Sequence, residues 1–332
     1  MGSKGEWTLR TALLGLVWIA GCSTSNHLRK FEEGDISKEV SADMAKRFQV
    51  KDSAAPAPTP APAAGAMKEK RGKSGKAKKV KEEQNGSGAK SAGTAPFRRL
   101  NPMPFEVGEK LAYDLRFVGV TAASFNMEVR PVKFIDDHQV YEIGAHAKTV
   151  KLFEFVYRVD DEIRSFWDHD GLYSHRFSMD LDETKQTRKL IELYDYTKNQ
   201  SFFWNRIDHV EKGFREEKQY HDIQPWSQDP LSMLYYLRVA PLPVTPEGEF
   251  RAPVVLDGKP WTTVVRYLRT ESIYAAGQSR EARVYRIENY AGSELKNKDN
   301  TLWISTDEHR YILRVETKLR VGSFAVALDR IL

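Results

Sequence analysis

Residues 101–332 carry apolar side chains at alternate positions along many short runs. Successive side chains of a strand point to opposite faces, so this period indicates strands with one buried face. The pairs Asp170-Gly171 and Asp257-Gly258 lie between such runs and are typical of two-residue hairpins. Strands are therefore predicted at 111–117, 123–129, 141–145, 157–167, 172–181, 187–196, 200–207, 250–256, 262–270, 282–290, 301–305, 311–318 and 323–330.

One segment has helical spacing instead. Asp229 can cap a helix, and Pro230 suits the first helical position. The residues that follow at helical spacing are Leu231, Leu234, Tyr235 and Arg238. A single helix among many strands commonly packs across the mouth or one face of a bent sheet. The predicted fold is mainly β: a strongly curved antiparallel sheet, forming a half-open or closed barrel, with this helix as its plug.

Several predicted strands are apolar on both faces, at 190–194, 202–204 and 324–328. Such strands must be covered on both sides. The cover could be the helix and loops, or it could be an apolar ligand held inside the curved sheet, and the sequence leaves both open. The candidate ligand or lid residues are Leu231, Leu234, Tyr235, Phe203 and Arg238.

The chain begins with a segment of another kind, residues 1–21, followed by its one cysteine, Cys22. A basic start and a short apolar run are typical of a secretory signal peptide, and the run is too short to span a bilayer as a mature helix. The tetrad Ile19-Ala20-Gly21-Cys22 resembles the lipobox of bacterial lipoproteins. The resemblance implies cleavage before Cys22 and acyl and diacylglycerol chains, palmitate among them, that anchor this residue in a membrane. The next residue, serine, implies sorting to the outer membrane of the cell envelope, facing the periplasm.

Residues 22–100 are predicted to be a lipidated, disordered tether, because their polar, charged and Pro-Ala-rich stretches offer little apolar surface to bury. In 35–49, apolar residues recur at every fourth position, which allows either a transient helix or an amphipathic helix that contacts the membrane or a partner. Between Lys68 and Lys90 basic residues outnumber acidic ones. This stretch is either a soluble spacer or an electrostatic contact with anionic lipid or cell-wall polymer.

Composition argues against several function classes. A single cysteine, predicted to be acylated, leaves no disulfide, thiolate metal site or thiol nucleophile. The net charge of +5 is modest for 332 residues, and exported proteins rarely meet nucleic acid, so no nucleic-acid partner is expected. Catalytic and phosphate-binding signatures are missing. Asp168-His169-Asp170-Gly171 lacks the remaining oxygen ligands of a calcium loop and is predicted to be a hairpin turn. We expect no enzyme activity, no metal, and no cofactor beyond the lipid on Cys22.

Three motifs resemble a known bacterial family, the domain of unknown function numbered 3108 (DUF3108). They are a "GE-x-L-x-Y" strand at 108–113, a "D-x-L-S-x-L-Y-x-L-R" helix at 229–238 and a "W-x-S-x-D … R-x-E" end at 303–316. Together they span nearly all of residues 101–332, so the resemblance implies one β-rich domain with these boundaries. The activity of the family is not established, so the resemblance implies no particular chemistry.

Two polar residues bracket the motif helix. Asp229 is predicted to be its N-cap, and Arg238 lies near its C-terminus, where a cation is favoured. We expect Arg238 to pair with a buried carboxylate such as Asp307 or Glu316, and contact with a ligand is the alternative.

Three function classes fit these observations. We expect a membrane-anchored, non-enzymatic binding or carrier module for an apolar, lipid-like envelope ligand. The alternative is a structural or assembly lipoprotein whose long arm links the membrane to cell wall or protein partners. An enzyme acting on lipids or glycans comes third, because the sequence offers no recognisable nucleophile, metal set or acid–base pair.

Overall fold

The computed structural model describes residues 28–31, 38–52, 96–117, 119–292, 294–319 and 322–332. The predicted signal peptide, Cys22 and the basic stretch between Lys68 and Lys90 lie outside these residues. Neither α-helix of the described ranges has the length and apolarity needed to span a bilayer.

The described chain folds into one antiparallel sheet of 15 strands, so the mainly β fold class is confirmed. Two α-helices accompany it, α1 (Ala42–Arg47) and α2 (Pro230–Val239), together with a 3-10 turn at Lys151–Phe153. The strands are β1 (Val50–Asp52), β2 (Lys110–Phe117), β3 (Val120–Ile135), β4 (His138–Thr149), β5 (Val159–Asp168), β6 (Ser174–Glu183), β7 (Gln186–Asp195), β8 (Gln200–His209), β9 (Gly213–Asp222), β10 (Glu249–Leu256), β11 (Lys259–Ala275), β12 (Gln278–Ala291), β13 (Glu294–Ser305), β14 (Ile312–Leu319) and β15 (Gly322–Ile331).

The sheet is half-open. Hydrogen-bonded neighbours follow the order β10-β11-β12-β13-β14-β15-β2-β3-β4-β5-β6-β7-β8-β9, and β1 pairs with β3. The last strand of the chain therefore joins the first strand of the domain, with Val326 opposite Leu115. In the described residues no ladder connects β9 to β10, so these two strands form the edges of the opening.

The chain between β9 and β10 enters the interior behind this opening. The N–H of Gln228 donates to the carbonyl of Pro253 (2.9 Å), and its carbonyl accepts from the N–H of Val255 (2.8 Å). Helix α2 follows directly, and eight of its ten residues are buried. A helix that is buried nearly all round must lie in a core, which confirms the predicted plug.

Residues 38–52 of the predicted tether are folded, which differs from the disordered arm that composition indicated. Ser41 caps α1 by accepting a hydrogen bond from the N–H of Met44, and β1 adds to β3 with Val50 opposite Ile135. Met44 and Phe48 are buried against the outside of the sheet. The four-residue spacing of apolar side chains therefore produces an amphipathic helix here, but it packs on the protein's own sheet, whereas the sequence predicted contact with a membrane or a partner.

This docked arm explains why some strands are apolar on both faces. Phe203 belongs to the main core with α2, whereas Phe202 and Trp204 pack with Met44 and Phe48 in a second cluster. Alternate residues of β8 thus reach two different cores. The protein covers both faces of this strand itself, so the two-faced pattern does not require a ligand.

Two strands and one turn were not anticipated correctly. Strand β9 is polar and exposed along nearly its whole length, so it lacks the alternation that reveals a half-buried strand, and β1 has only three residues. Asp257 and Gly258 form the predicted two-residue turn, both with positive φ. Asp170-Gly171 instead lies inside a longer turn, 169–173, between β5 and β6.

Candidate functional site

Arg238 of α2 makes a buried ion pair that joins two of the sequence motifs. Its guanidinium donates to both carboxylate oxygens of Glu109, at 2.6 and 2.8 Å. The same group donates to the carbonyls of Pro104 (2.8 Å) and His309 (3.0 Å). The side chains of Arg238 and Glu109 are only 2% and 9% exposed. Because the buried guanidinium donates to these protein acceptors, we assign Arg238 a structural role.

The expected partners of Arg238 were wrong. Asp307 accepts from Ser305 and from the N–H groups of His309 and Arg310, and it lies 3.3 Å from Arg280. Glu316 pairs with Arg314, which lies two residues earlier on the same strand, β14. The sequence did not reveal Glu109 as the partner because it lies 129 positions away.

The other candidate ligand or lid residues also belong to the packed interior. Leu231, Tyr235 and Phe203 are buried in the main core, and Leu234 is partly buried against it. The ring of Tyr235 meets Phe105 edge to face at 5.1 Å. These side chains are occupied by protein contacts, so α2 is a core helix rather than an exposed lid.

Asp229 is the N-cap, as predicted. It accepts from the N–H groups of Leu231 and Ser232, both at 2.8 Å, and Ser232 completes a capping box. Its second oxygen accepts from the hydroxyls of Ser165 (2.5 Å) and Ser174 (2.7 Å). Burial raises the pKa of Asp229, and these hydrogen bonds oppose that rise.

A second location has the features of a binding site, and we call it the aromatic–histidine pocket. It has a volume of about 210 Å³ and lies between α1 and the end of the sheet that carries the β3–β4, β5–β6 and β7–β8 turns. Its lining residues are Arg47, Phe48, Ile135, Asp136, His138, Tyr173, His175, Tyr194, Tyr196, Thr197 and Trp226.

The turn after β5 shapes one wall of this pocket. Asp168, the last residue of β5, accepts from the backbone N–H groups of Asp170 (3.1 Å) and Gly171 (2.6 Å) through Oδ1. A Cβ at Gly171 would collide with the ring of Tyr173 and the carbonyl of Pro96, so only glycine fits. The turn thereby fixes the Asp168 carboxylate and the Tyr173 ring together.

Two histidines converge on the other oxygen of Asp168. His138 Nδ1 lies 3.1 Å and His175 Nε2 lies 2.9 Å from Asp168 Oδ2. An ionised carboxylate can only accept, so each of these nitrogens carries the proton of its hydrogen bond. The three ligand-type atoms lie within 4.8 Å of one another. In the described residues this is the group of side chains suited to hold a metal ion.

The electrostatics of the trio follow from burial and these bonds. Burial opposes ionisation of Asp168, but the hydrogen bonds from both histidines outweigh it and hold the pKa of that carboxyl well below its usual range. The hydrogen bond to Asp168 raises the pKa of His138. Burial lowers the pKa of His175 despite the same carboxylate. Asp168 is therefore an anion beside one buried and one half-exposed imidazole.

The arm supplies another wall. Arg47 of α1 donates through both terminal nitrogens to the carboxylate of Asp195, each at 3.2 Å. Asp195 in turn accepts from the N–H and hydroxyl of Thr197 at the pocket rim. Phe48 follows Arg47 and contributes its ring to the lining. The pocket is thus completed only when the arm is docked.

One polar atom of the lining lacks a partner. The hydroxyl of Tyr194 is buried and makes no hydrogen bond to the described residues. Burial raises the pKa of Tyr194 well above its ordinary value, so the group is a neutral hydroxyl. Buried polar atoms normally find a partner, so this hydroxyl is an exception in the pocket wall.

Sequence reasoning did not single out His138, His175 or the pocket. A signal was nevertheless present, because alternate turns of an antiparallel meander lie at the same end of the sheet. His138 follows the β3–β4 turn, Asp168 and His175 flank the β5–β6 turn, and Thr197 lies in the β7–β8 turn. Residues 168–171 do lie at a turn, although it is longer than the predicted two-residue hairpin, and the sequence analysis tested it only as a calcium loop with ligands from consecutive residues.

The fold and its site define a class: a half-open β-barrel-like domain with an internal plug helix and a pocket closed by its own N-terminal arm. The model of the family described as protein of unknown function DUF3108 matches residues 112–329. The chain belongs to this family. Among proteins with curated descriptions, none matches the sequence.

Solved structures with a similar chain trace come from three bacteria. A β-barrel-like DUF1849 protein from Brucella abortus has a TM-score of 0.40 and 10% identity, over 68% of this chain and 97% of that one. A candidate exported protein with a YmcC-like fold from Bacteroides fragilis has a TM-score of 0.31 and 10% identity, over 69% and 98%. A candidate lipoprotein from Parabacteroides distasonis has a TM-score of 0.30 and 11% identity, over 69% and 97%.

Proposed function

We propose that the protein is a lipid-anchored component of the bacterial cell envelope whose domain binds a small ligand in the aromatic–histidine pocket, without catalysing a reaction. The pocket is the observation that carries this function. A concave space lined by aromatic rings with a few fixed polar groups is the usual form of a small-molecule site. The polar groups of this lining include Arg47, His138 and Thr197.

The pocket also limits the size of the ligand. Its volume of about 210 Å³ exceeds the roughly 150 Å³ of an apolar cavity that accepts benzene. It is smaller than the ~300 Å³ at which sites for drug-sized molecules begin. A pocket of this size accepts a single ring or a short alkyl chain. The apolar, lipid-like ligand expected from the sequence would therefore place only one such group in the pocket.

The envelope location is supported by the sequence. The tetrad that ends at Cys22 predicts an acylated N-terminus, and the serine after it favours the outer membrane. The arm between the anchor and the domain includes α1, which closes the pocket. The arm that follows the anchor thus contributes Arg47 and Phe48 to a pocket whose other lining residues belong to the domain.

Ligand binding can be tested with two simple probes. The mature chain carrying Cys22→Ser, which prevents acylation, is titrated calorimetrically with indole and with octanoate. We expect one site, and we expect Thr197→Trp to abolish binding because the new ring enters the pocket from its exposed rim. Glu217→Trp, on the exposed strand β9, is the matched control.

Two outcomes would count against this function. If neither probe nor any molecule co-purifying from the native host binds, the pocket has no ligand. If Thr197→Trp binds as well as the Glu217→Trp control, binding takes place elsewhere on the domain.

An assembly function is favoured by a separate observation at the other end of the sheet. The loop after β4 exposes Leu152 and Phe155, which are 73% and 83% accessible, and Val156 follows. Contiguous exposed apolar side chains commonly mark an interaction surface. A photo-crosslinking residue at Phe155 should trap a discrete envelope partner in cells, while one at the exposed Phe97 should not. Equal trapping at both positions would remove the support for assembly.

A further inference from the structure

We propose that His138, Asp168 and His175 bind a divalent transition-metal ion such as Zn²⁺ at the wall of the aromatic–histidine pocket. The proposal rests on this side-chain geometry and holds whether or not an organic ligand occupies the rest of the pocket.

Two of the three separations between the ligand atoms are close to the spacing of a metal shell. Zn²⁺ binds imidazole nitrogen and carboxylate oxygen at about 2.0–2.2 Å, which places tetrahedral ligand atoms roughly 3.3 Å apart. Asp168 Oδ2 lies 3.1 Å from His138 Nδ1 and 2.9 Å from His175 Nε2. All three atoms fall within 4.8 Å of one another. Metal binding therefore requires His138, whose side chain is 48% exposed, to move so that its Nδ1 comes closer to Nε2 of His175.

Metal binding requires no net gain or loss of protons by the three side chains. Each coordinating nitrogen must present its lone pair, so the proton that it shares with Asp168 moves to the other nitrogen of the same ring. The rings remain neutral and the carboxylate remains an anion, so the ion replaces two hydrogen bonds by three coordinate bonds without an added reactant.

Asp168 is held by hydrogen bonds to its second oxygen, as ligating carboxylates are in established metal sites. Asp168 Oδ1 is fixed by the N–H groups of Asp170 and Gly171, which leaves Oδ2 free to face the histidines. The ring of His175 lies 4.9 Å from the ring of Tyr173, and 4.8 Å from that of His138. The aspartate and His175 are thus preorganised, and His138 closes the shell from the solvent side.

The donor set selects the class of ion. Two imidazoles and one carboxylate favour Zn²⁺, Cu²⁺, Ni²⁺ or Fe²⁺, whereas Mg²⁺ and Ca²⁺ favour oxygen-only shells. Three protein ligands leave a position for water or for a donor atom of a second molecule, as in open zinc sites. The adjoining pocket provides space for such a molecule.

The test uses the mature chain with Cys22→Ser, which also removes the thiol as a competing ligand, and without a histidine tag. After treatment with a chelator, calorimetric titration with Zn²⁺ should show one site per chain, and Mg²⁺ should show none. Zn²⁺ should also raise the melting temperature, because it binds the folded state alone. His138→Gln should weaken Zn²⁺ binding by about tenfold or more, and this half-exposed position should leave the fold intact.

Strand β4 offers a matched control in His146, whose Nε2 lies 2.6 Å from Asp160 in a second histidine–aspartate pair. His146→Gln should bind Zn²⁺ as the parent chain does. His175→Gln should lose binding like His138→Gln, with circular dichroism confirming that both variants are folded. A parent chain that does not bind Zn²⁺, or a loss in His146→Gln equal to that in His138→Gln, would overturn the proposal. Titration with indole in the presence of a chelator measures binding of an organic ligand without the metal, so the two proposals can fail independently.

Discussion

At the scale of single residues, the most informative contact is the buried pair of Arg238 and Glu109. It connects the plug helix to the strand that opens the domain, and Arg238 also donates to the carbonyls of Pro104 and His309. Taking two charges out of water is costly, so such a pair contributes chiefly by fixing one arrangement of the elements that it joins. Its bonds define where α2 ends relative to β2.

Removing one partner of this pair should be severe. Arg238→Met leaves the Glu109 carboxylate buried without its cation, and we expect the free energy of unfolding to fall by about 3–5 kcal/mol. Urea denaturation measures it. Arg269→Met, which breaks an exposed pair with Glu271, should cost less than about 1 kcal/mol. Equal effects of the two substitutions would show that the buried pair does not fix the helix.

Glu192 gives stability a pH dependence of known sign. Burial raises the pKa of Glu192 to about 8 from its ordinary value of 4.5, although Ser201 donates a hydrogen bond to it. From about pH 4.5 to pH 8 the folded state keeps a proton that the unfolded state has lost. Stability therefore falls as pH rises through this window, by up to about 1.4 kcal/mol per pH unit.

Glu192→Gln should remove that contribution. Comparing urea denaturation at pH 5 and pH 8, the variant should lose less stability than the parent chain. Burial also raises the pKa of Asp161 to about 8, but this residue is present in both proteins and cancels in the comparison. Parallel stability curves for variant and parent would contradict the assignment.

At the scale of elements, α2 and α1 cover opposite faces of the same strands. Helix α2 lies in the main core, whereas α1 packs Met44 and Phe48 on the outer face beside Phe202 and Trp204. The first helix has only six residues and is too short to be stable alone. Its structure therefore depends on docking.

Leu237 and Leu234 should respond differently to the same substitution. Leu237 is 1% exposed, while Leu234 is the partly buried leucine of α2. Leu237→Asp should prevent folding because it buries an unpaired charge. Leu234→Asp should leave a folded but weakened domain, because this side chain is only partly buried against the core. Circular dichroism and thermal melts of both variants distinguish the two positions.

Phe48→Asp should detach the arm without unfolding the sheet. The charge cannot be accommodated among Met44, Phe202 and Trp204, and the rest of the sheet does not need α1 for its ladders. Amide hydrogen exchange across 41–52 should accelerate, while exchange in β2–β8 stays slow. Lys51→Asp, at an exposed position of β1, is the control. Slow exchange in the Phe48→Asp arm would show that docking does not depend on this cluster.

At the scale of the whole molecule, the chain joins a predicted membrane anchor to a domain through an arm that partly folds back onto that domain. Cys22→Ser should move the protein from the membrane to the soluble fraction, because stable anchoring needs the acyl chains. Cell fractionation and mass spectrometry of the mature N-terminus test this. An unmodified cysteine, or a first residue other than Cys22, would refute the lipoprotein prediction.

The sequence by itself determined the class of fold, because strand period, turn pairs and helix capping are local signals. The alternation in β2 and β7 predicted their bounds within a few residues, and Asp229-Pro230 predicted where α2 begins. The tertiary structure decided what those elements meet. Only the curvature of the sheet brings Glu109 to Arg238, places α1 over Phe202 and gathers the aromatic–histidine pocket. Those contacts join residues far apart in the chain, and local periodicity carries no information about which distant side chains will share a face or an end of the sheet.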